Sequence, residues 1–476
     1  MIKHSIIAAL VAASLTPLAH AAGEAKNIIF FLGDGMGPTT ITAARIYKYK
    51  EEGLLNFEKF ERTARIITYS NNAQTTDSAP SMAAYMTGVK ANNEVLAMTA
   101  NTTAIAPTTD ATNGTKSVNA CGSNNGSAVT TLLELAKSNG KAVGAITTTE
   151  LTHATPAATY AHICHRDAQY DIAAQLVPGG TGFNSALGTG VDVLMGGGRN
   201  QFTPYNASTN SKGRSDNRDL LAELKAKGYT VGANKTEMNA APLDKPYIGL
   251  YSATSHLAYD LDRQQAVAAV NAGTATTAQA DVATQPTLAE MTSKAIDILS
   301  QNHKGFFLMV EGGRIDHALH GTNAKRVMED TIAFDDAIQA AVDKIKKTDP
   351  ALSNTLIVVT ADHDHTMTFN GYVKRGNPIL DIARDVNGKE ILDANGVNAT
   401  TLVFGNGPNR PATRSTLTSS AVLADSYLQE TGVRLSSETH GGGDVKLLAT
   451  GAGATTFKGT MDNTKVFTLM KTAYGF

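Results

Sequence analysis

Acidic residues and histidines of this 476-residue chain stand directly after segments whose apolar character predicts buried strands. In open α/β sheets the carboxyl ends of the strands line the ligand crevice, so we expect these side chains to converge. Imidazole nitrogens suit zinc, and carboxylate oxygens suit harder divalent ions. One such residue alone would be a helix cap or a surface group, but several together predict a site for more than one metal ion. The residues are Asp34, Glu311, Asp316, His320, Asp362 and His363.

Two local spacings support the metal prediction. Asp316 and His320 are four residues apart, which on a helix places both side chains on one face and within reach of one ion. Residues 362–365 read Asp-His-Asp-His, a dense mixture of oxygen and nitrogen ligands. For Asp364 and His365 two interpretations remain, a supporting role around the ligands and no role in the site.

Ser78 lies at the predicted start of a helix. Pro80 suits the first turn of that helix and Gly88 suits its end. At such a start the free N–H groups and the helix dipole favour an anion. Ser78 could be a simple N-cap. Beside a metal ion, its hydroxyl becomes a nucleophile that needs no histidine base.

The elements that would position these residues alternate between strands and helices. The apolar runs are continuous, which is typical of strands covered on both faces of a sheet, so we expect an α/β protein. Strands are predicted at 28–32, 142–147, 193–195, 229–231, 305–310 and 355–360, and helices at 42–49, 129–138, 220–227, 288–299 and 329–345.

Polar stretches rich in Thr, Asn, Ala and Gly separate these units at residues 100–125, 200–279 and 366–437. We interpret them as insertions at the carboxyl ends of the sheet, because no repeat or charge block marks a linker. The chain after residue 21 is therefore expected to form one elaborated domain, residues 22–476.

Composition excludes several classes of protein. Lys and Arg total 41 against 43 Asp and Glu, so a globally basic nucleic-acid-binding surface is not expected. With 42% hydrophobic and 18% charged residues, the chain is neither intrinsically disordered nor an integral membrane protein.

The N-terminus has the pattern of a secretory signal peptide. A charged start is followed by an apolar segment too short to span a bilayer and by Ala19-His20-Ala21, a small-residue cleavage site. A buried N-terminal helix is the alternative. Export would place the mature chain in the periplasm or outside the cell, without a membrane anchor. In that oxidising compartment Cys121 and Cys164 can pair, although two unpaired thiols remain the alternative.

Six motifs together resemble the alkaline phosphatase family. They occur in that family's order from residue 34 to residue 440, which is nearly all of the mature chain. The resemblance implies a three-layer α/β/α sandwich around a mixed, mostly parallel sheet, with a crown-like insertion at about 366–437. The motifs are Gly33-Asp34-Gly35-Met36-Gly37, Thr76-Asp77-Ser78-Ala79, Val310-Glu311-Gly312, Ile315-Asp316 with His320, Thr360-Ala361-Asp362-His363 and Glu438-Thr439-His440-Gly441-Gly442.

The resemblance also implies a reaction and the residues that perform it. The activity would be hydrolysis of phosphate monoesters through a phosphoserine on Ser78, with two zinc ions and one magnesium ion. Arg166 would clamp the phosphate and Asp77 would hold Arg166. The implied ligands are Asp316, His320 and His440 for the first zinc, Asp34, Asp362, His363 and Ser78 for the second, and Asp34, Thr155 and Glu311 for the magnesium-type ion.

Two positions depart from the best-known bacterial pattern of the family. His153 stands where that pattern has Asp near the magnesium, so the third site could accept zinc or cobalt. His317 stands where the pattern has Lys near the phosphate. Because an imidazole loses its charge near pH ~6.5, we expect His317 to hold phosphate less tightly at alkaline pH and to speed product release.

Several alternatives remain. A phosphodiesterase, sulfatase or phosphomutase would share the metal scaffold, and a non-catalytic periplasmic phosphate- or zinc-binding protein would need no nucleophile. The family is usually homodimeric, but no long N-terminal arm is present here, so a monomer remains possible. The remaining mature histidines outside the motifs are expected to be structural or exposed; they are His162, His165, His256 and His303.

Overall fold

The computed structural model describes residues 25–476, so the predicted signal peptide, residues 1–21, lies outside the described residues. Within residues 25–476 the chain forms seventeen strands. In chain order they are β1 (Asn27–Gly33), β2 (Arg62–Ile67), β3 (Thr108–Thr109), β4 (Lys116–Val118), β5 (Ala142–Glu150), β6 (Val193–Gly197), β7 (Thr230–Gly232), β8 (Tyr247–Leu250), β9 (Phe306–Gly312), β10 (Thr355–Thr360), β11 (Asp364–His365), β12 (Met367–Phe369), β13 (Leu402–Gly407), β14 (Thr431–Arg434), β15 (His440–Gly441), β16 (Val445–Gly451) and β17 (Gly459–Asp462).

The same part of the chain forms fourteen α-helices. They are α1 (Pro38–Tyr49), α2 (Ser78–Thr87), α3 (Leu132–Ser138), α4 (Ala154–Tyr160), α5 (Gln169–Ala174), α6 (Leu220–Ala226), α7 (Lys235–Ala240), α8 (Asp260–Asn271), α9 (Thr277–Ala283), α10 (Leu288–Leu299), α11 (Arg314–His320), α12 (Ala324–Lys346), α13 (Ser419–Val422) and α14 (Asn463–Tyr474).

Ten strands form one sheet in the order β17-β2-β16-β10-β1-β9-β5-β6-β8-β7. Only β16 runs antiparallel to its neighbours, β10 and β2, and all other pairings are parallel. The predicted mixed, mostly parallel sheet is therefore confirmed. Strands β7 and β8, which come from the polar stretch 200–279, extend the sheet at one edge.

Both faces of the sheet are covered by helices. Successive strand residues point to opposite faces, so Phe30 and Phe31 of β1 reach different layers. The Phe30 ring packs 5.5 Å from Tyr85 of α2, and the Phe31 ring packs 5.9 Å from Phe334 of α12. Helices α1 and α10 pack against α12, and α4 and α14 pack against α2. These contacts give the α/β/α sandwich expected from the sequence.

Local capping explains where two predicted helices actually begin. The segment predicted at 129–138 starts at Leu132, because Thr131 forms a capping box with Glu134. The helix predicted at 329–345 is longer and starts at Ala324, where the side chain of Asn323 accepts a hydrogen bond from the Arg326 N–H. Both differences follow from polar side chains that satisfy the free N–H groups of the first turn.

Residues 366–437 lie apart from the large sheet. They contain a separate three-stranded sheet in the order β12-β13-β14. A two-stranded ladder joins β11 to β15, pairing His365 with His440. Among residues 25–476, no helix combines the length and the apolar character needed to cross a membrane.

We expect Phe334→Ala to lower the free energy of unfolding by about 3–5 kcal/mol, the usual cost of deleting a buried aromatic ring. Phe334 is fully buried, and its ring contacts those of Phe31 and Phe57. Urea unfolding measures the effect. Tyr372→Ala is the matched control because Tyr372 is 93% exposed, and equal losses in both variants would contradict this account of the core.

Candidate active site

Three neighbouring strands bring acidic residues to one edge of the sheet. Strand β1 lies between β9 and β10, with Leu32 in register with Glu311 on one side and Thr360 on the other. Asp34 follows β1 directly, and Asp362 follows β10 by one residue. Asp34, Glu311 and Asp362 are fully buried. The carboxyl ends of three strands therefore deliver three carboxylates to one enclosed space.

The first group of candidate metal ligands surrounds Asp316 on α11. Asp316 Oδ1 lies 3.3 Å from His320 Nε2, one helical turn away, and 3.5 Å from His440 Nε2. His365, whose role the sequence leaves open, joins this group, with its Nε2 2.8 Å from Asp316 Oδ1. One ligand atom from each of the four residues lies within 4.8 Å of the others.

The second group contains Asp34, Asp362 and His363, with Ser78 beside it. His363 Nε2 is 3.3 Å from Asp34 Oδ1 and 3.4 Å from Asp362 Oδ2. Ser78 Oγ lies 3.3 Å from His363 Nε2 and 3.5 Å from Asp34 Oδ1. The predicted nucleophile is thus adjacent to a set of three potential ligands.

The third group shares Asp34 and adds His153 and Glu311. The Thr155 hydroxyl lies 3.5 Å from Asp34 Oδ2. Glu311 Oε2 accepts a hydrogen bond from the Thr149 hydroxyl over 3.1 Å. The residues that the resemblance associates with the third ion therefore lie together.

The charges of these carboxylates fit divalent cations. Burial, followed by repulsion from Asp362 and the other nearby carboxylates, raises the pKa of Asp34 well above its usual range. Burial likewise raises the pKa of Asp362 and raises that of Glu311 to about 7. Glu311 Oε1 and Asp362 Oδ2 are buried and have no hydrogen-bond partner within residues 25–476. Cations would neutralise the repulsion and ligate these oxygens.

Asp316 behaves differently because imidazoles surround it. Burial alone would raise its pKa, but the positive charge of His320 and hydrogen bonds from His320, His365 and His440 hold the pKa well below its usual range. His365 also has its Nδ1 2.6 Å from a carboxylate oxygen of Glu438. Although burial opposes a charge on His365, its bonds to Asp316 and Glu438 raise its pKa to about 10.

The start of α2 connects Ser78 to the predicted phosphate clamp. Asp77 is the N-cap of α2, and its Oδ1 accepts a hydrogen bond from the Ala79 N–H over 2.7 Å. The same oxygen accepts a hydrogen bond from Arg166 Nη1 over 3.2 Å. Arg166 Nη2 donates to His153 Nε2 over 3.0 Å. Asp77 thus fixes both the helix start and the guanidinium.

A disulfide lies close to Arg166. The structure pairs Cys121 with Cys164, with Cα atoms 5.6 Å apart, as the sequence allowed. The backbone N–H of Arg166 donates to the Glu94 carbonyl over 2.8 Å. The disulfide and this hydrogen bond hold the segment that carries the guanidinium.

Three histidines form a cluster beside Arg166. The ring centroid of His317 is 5.3 Å from that of His153 and 4.3 Å from that of His256. Burial lowers the pKa of His317 to about 4 and that of His256 to about 2, with neighbouring positive groups adding to the effect. Burial and Arg166 also lower the pKa of His153 well below its usual range. All three imidazoles are therefore neutral at physiological pH.

The structure places the other histidines in different surroundings. His162 is structural, because its ring nitrogens bond to Glu134 Oε1 and to the Ala97 carbonyl oxygen. His303 is exposed. His256, expected to be structural or exposed, accepts a hydrogen bond from the Glu150 backbone N–H and also lies against His317. Nothing in the polar stretch 200–279 signals this position, whereas the Asp-His-Asp-His density did signal His365.

Comparisons with known proteins agree with this fold. Residues 25–476 match the alkaline phosphatase family. The chain is 36% identical to an alkaline phosphatase of Gadus morhua over 459 residues, which are 90% of this chain and 87% of that protein. Its fold is similar to that of the Thermus thermophilus alkaline phosphatase, with a TM-score of 0.66 at 24% identity, covering 98% and 96% of the two chains. A cold-active alkaline phosphatase from Shewanella sp. gives a TM-score of 0.63 at 24% identity, covering 94% and 99%.

The chain belongs to the alkaline phosphatase family. It is a phosphomonoesterase, and its substrates are phosphate monoesters. The family is a class of metalloenzymes, and the three groups of His, Asp and Glu side chains described above are able to hold metal ions.

Because the pKa of Glu311 is raised, we expect the free energy of unfolding of the metal-free protein to depend on pH. A carboxyl whose pKa is higher in the folded than in the unfolded chain lowers stability as pH rises between the two values. Glu311→Gln removes that titration. Between about pH 4.5 and pH 7.5 the unfolding free energy of the variant should therefore rise relative to the parent by about 3 kcal/mol.

Urea unfolding of the chelator-treated proteins at both pH values measures this difference. The neutral histidines have lowered pKa values and produce the opposite slope below pH ~6.5, but they are common to both proteins and cancel in the comparison. Glu61→Gln, at an exposed position, is the control. If the unfolding free energies of the Glu311 variant and the parent differed by the same amount at both pH values, ionisation of Glu311 would not destabilise the folded protein.

Proposed function

We propose that this enzyme hydrolyses phosphate monoesters to an alcohol and inorganic phosphate through a phosphoserine on Ser78, with two zinc ions and one magnesium-type ion. The observation that carries the proposal is the position of Ser78 Oγ, which lies at the start of α2 and within 3.5 Å of both Asp34 and His363. A nucleophile beside candidate metal ligands distinguishes a hydrolase from a phosphate- or zinc-binding protein. Phosphate scavenging is the role we propose for the activity.

The residues present would hold three ions. When bound, two ions would supply charge for the attacking and leaving oxygens of an in-line displacement, and the third would add positive charge nearby. His153 beside the third group leaves room for zinc or cobalt instead of magnesium. The proposed sets are Asp316, His320 and His440 for one zinc, Asp34, Ser78, Asp362 and His363 for the other, and Asp34, Thr155 and Glu311, with His153 nearby, for the third ion.

The reaction proceeds through two displacements on Ser78. In the first, Ser78 Oγ gives up its proton and forms a bond to phosphorus while the ester P–O bond breaks; the departing alkoxide takes up one proton and leaves as the alcohol. In the second, a water molecule gives up one proton as its oxygen bonds to phosphorus, the bond to Oγ breaks, and Oγ takes up one proton, which releases inorganic phosphate and restores the serine. Two inversions give net retention of configuration at phosphorus.

Arg166 orients the phosphoryl group during both steps. Its planar guanidinium matches the equatorial oxygens, which carry the charge of the transition state. The hydrogen bond from Nη1 to Asp77 restricts the side chain to one direction before the substrate arrives. Because Asp77 also caps α2, the clamp and the nucleophile keep a fixed separation.

We also propose that the enzyme acts in the periplasm or outside the cell after cleavage near Ala21. The pairing of Cys121 with Cys164 supports this location, because disulfides persist in oxidising compartments. The catalytic unit would then be residues 22–476, with residues 366–437 forming the crown over the site.

Replacement of Ser78 by Ala tests the proposed nucleophile. We expect kcat for p-nitrophenyl phosphate to fall by roughly 10⁴-fold or more, as for other enzymes that lose their nucleophile. Inorganic phosphate should still bind, because Arg166 and the ligand groups remain. Turnover assays and calorimetric titration with phosphate measure the two properties.

Ser138→Ala is the matched control, since Ser138 is exposed on α3. Metal analysis of all three proteins should give the same content of zinc and magnesium, because Asp34, Asp362 and His363 remain to hold the ion beside Ser78. Unchanged turnover in the Ser78 variant would refute the phosphoserine route. Loss of turnover together with loss of metal would instead assign Ser78 to metal binding alone.

His317→Lys tests the role of a neutral group beside the phosphate. His317 has a pKa of about 4 because it is buried near Arg314, so it carries no charge at neutral or alkaline pH. A lysine ammonium would add a positive charge, and we expect phosphate to inhibit about tenfold more strongly. Competitive inhibition by phosphate measures the change, with the exposed His303→Lys as control. An unchanged inhibition constant for phosphate would contradict the prediction that His317 faces the phosphate.

A further inference from the structure

His256 occupies an unexpected place beside the proposed phosphate site. It lies in the loop before α8, and its ring faces that of His317 with centroids 4.3 Å apart and planes 53° apart. The His153 ring is 5.4 Å away in an edge-to-face arrangement. His153 in turn accepts the hydrogen bond from Arg166. His256 therefore belongs to a group of side chains that extends from the Arg166 guanidinium through His153.

Two obligate donors determine where the protons of His256 and His317 lie. The backbone N–H of Glu150 donates to His256 Nδ1 over 3.0 Å. Arg314 Nη1 donates to His317 Nδ1 over 2.7 Å. A backbone amide and a guanidinium can donate but cannot accept, so both Nδ1 atoms are acceptors. In each neutral ring the proton must then be on Nε2.

The two Nε2–H groups are available for a ligand. Within the part of the chain that the structure describes, neither Nε2 atom has a hydrogen-bond partner. Both Nε2 atoms also remain accessible to solvent. Arg314 is itself fixed, because its guanidinium lies 3.6 Å from the centroid of the Tyr259 ring. Two adjacent imidazoles thus present oriented donors next to His153, the residue that Arg166 contacts, and Glu150 and Arg314 fix their orientation.

We propose that His256 is a phosphoryl-binding residue, which donates its Nε2–H to an oxygen of the substrate phosphate next to the donor of His317. The inference rests on the proposed function of the site and adds a residue to it. A phosphate monoester dianion has more oxygen lone pairs than one guanidinium can satisfy, so its oxygens can accept hydrogen bonds from further N–H donors as well. A neutral imidazole N–H orients a phosphate oxygen by a hydrogen bond but carries no full positive charge. The product phosphate can therefore dissociate more easily than from a cationic side chain.

Two variants separate the donor from the structural hydrogen bond. In His256→Asn, the amide oxygen can replace Nδ1 as acceptor for the Glu150 N–H, but the Nε2–H donor is lost. In His256→Gln, the longer side chain can place an N–H near the position of Nε2, but it leaves the Glu150 N–H without its acceptor. A purely structural role predicts damage in the Gln variant, and phosphate binding predicts damage in the Asn variant.

The experiment measures phosphate binding by calorimetry and p-nitrophenyl phosphate kinetics on the metal-loaded enzymes, with metal content determined for each. We expect the Asn variant to bind inorganic phosphate about tenfold more weakly and to lose a similar factor in kcat/KM, as for a lost hydrogen bond to a charged group. The Gln variant should stay within about threefold of the parent in both properties. Both variants should keep the metal content of the parent.

Unchanged phosphate affinity in the Asn variant would overturn the proposal. So would an equal loss in both variants, or a loss accompanied by release of a metal ion, since each would show that His256 acts only through the surrounding structure. If the parent enzyme bound phosphate but did not turn over p-nitrophenyl phosphate, the proposed function would fail instead. In that case the calorimetric comparison of the His256 variants would still measure whether His256 contributes to phosphate binding.

Discussion

Repulsion among buried carboxylates is the constraint on which the site depends. Asp34, Glu311 and Asp362 have no solvent to screen their charges, and burial with mutual repulsion favours their protonated forms. Apolar strands, helices on both faces and the paired registers of β1, β9 and β10 keep these side chains together. The fold thus stabilises an arrangement that its own charges oppose, and divalent cations are the natural partners that remove the conflict.

The two halves of the site balance their charge differently. Asp316 is surrounded by imidazoles and keeps its negative charge, whereas Asp34 faces other carboxylates. Ser78 lies on the carboxylate-rich side, within 3.5 Å of Asp34. The hydroxyl that we propose as nucleophile is therefore where cations are needed most, and a cation there would favour its deprotonated form. His363 lies between the two halves, with its Nε2 3.3 Å from Asp34 Oδ1 and 4.0 Å from Asp316 Oδ1.

Local patterns predicted much of the fold and many of the candidate residues. Strand β10 and helix α10 begin and end where the apolar runs do, because continuous burial leaves a strong signal in the sequence. The strand predicted at 229–231 is present as β7, but its place at the sheet edge beside β8 was not predictable, since sequence pattern alone does not give strand order. The contact between His256 and His317 was not predictable for a related reason. The neighbours of His256 along the chain are polar, and its contact with His317 spans about 60 residues, which no local period reveals.

The neutral histidines also change how the charge of the pocket should be understood. A net charge of −2 for the chain indicates no affinity for phosphate, and the lowered pKa values of His153, His256 and His317 remove imidazolium as a source of positive charge. Attraction for a dianion would then come from Arg166 and from the cations that we propose for the three groups of ligands. Imidazole N–H groups orient the phosphate by hydrogen bonds and add little positive charge to the pocket. An enzyme that must release phosphate on every cycle gains from such neutral donors, because they add to the orientation that Arg166 gives without adding charge that would hold the product.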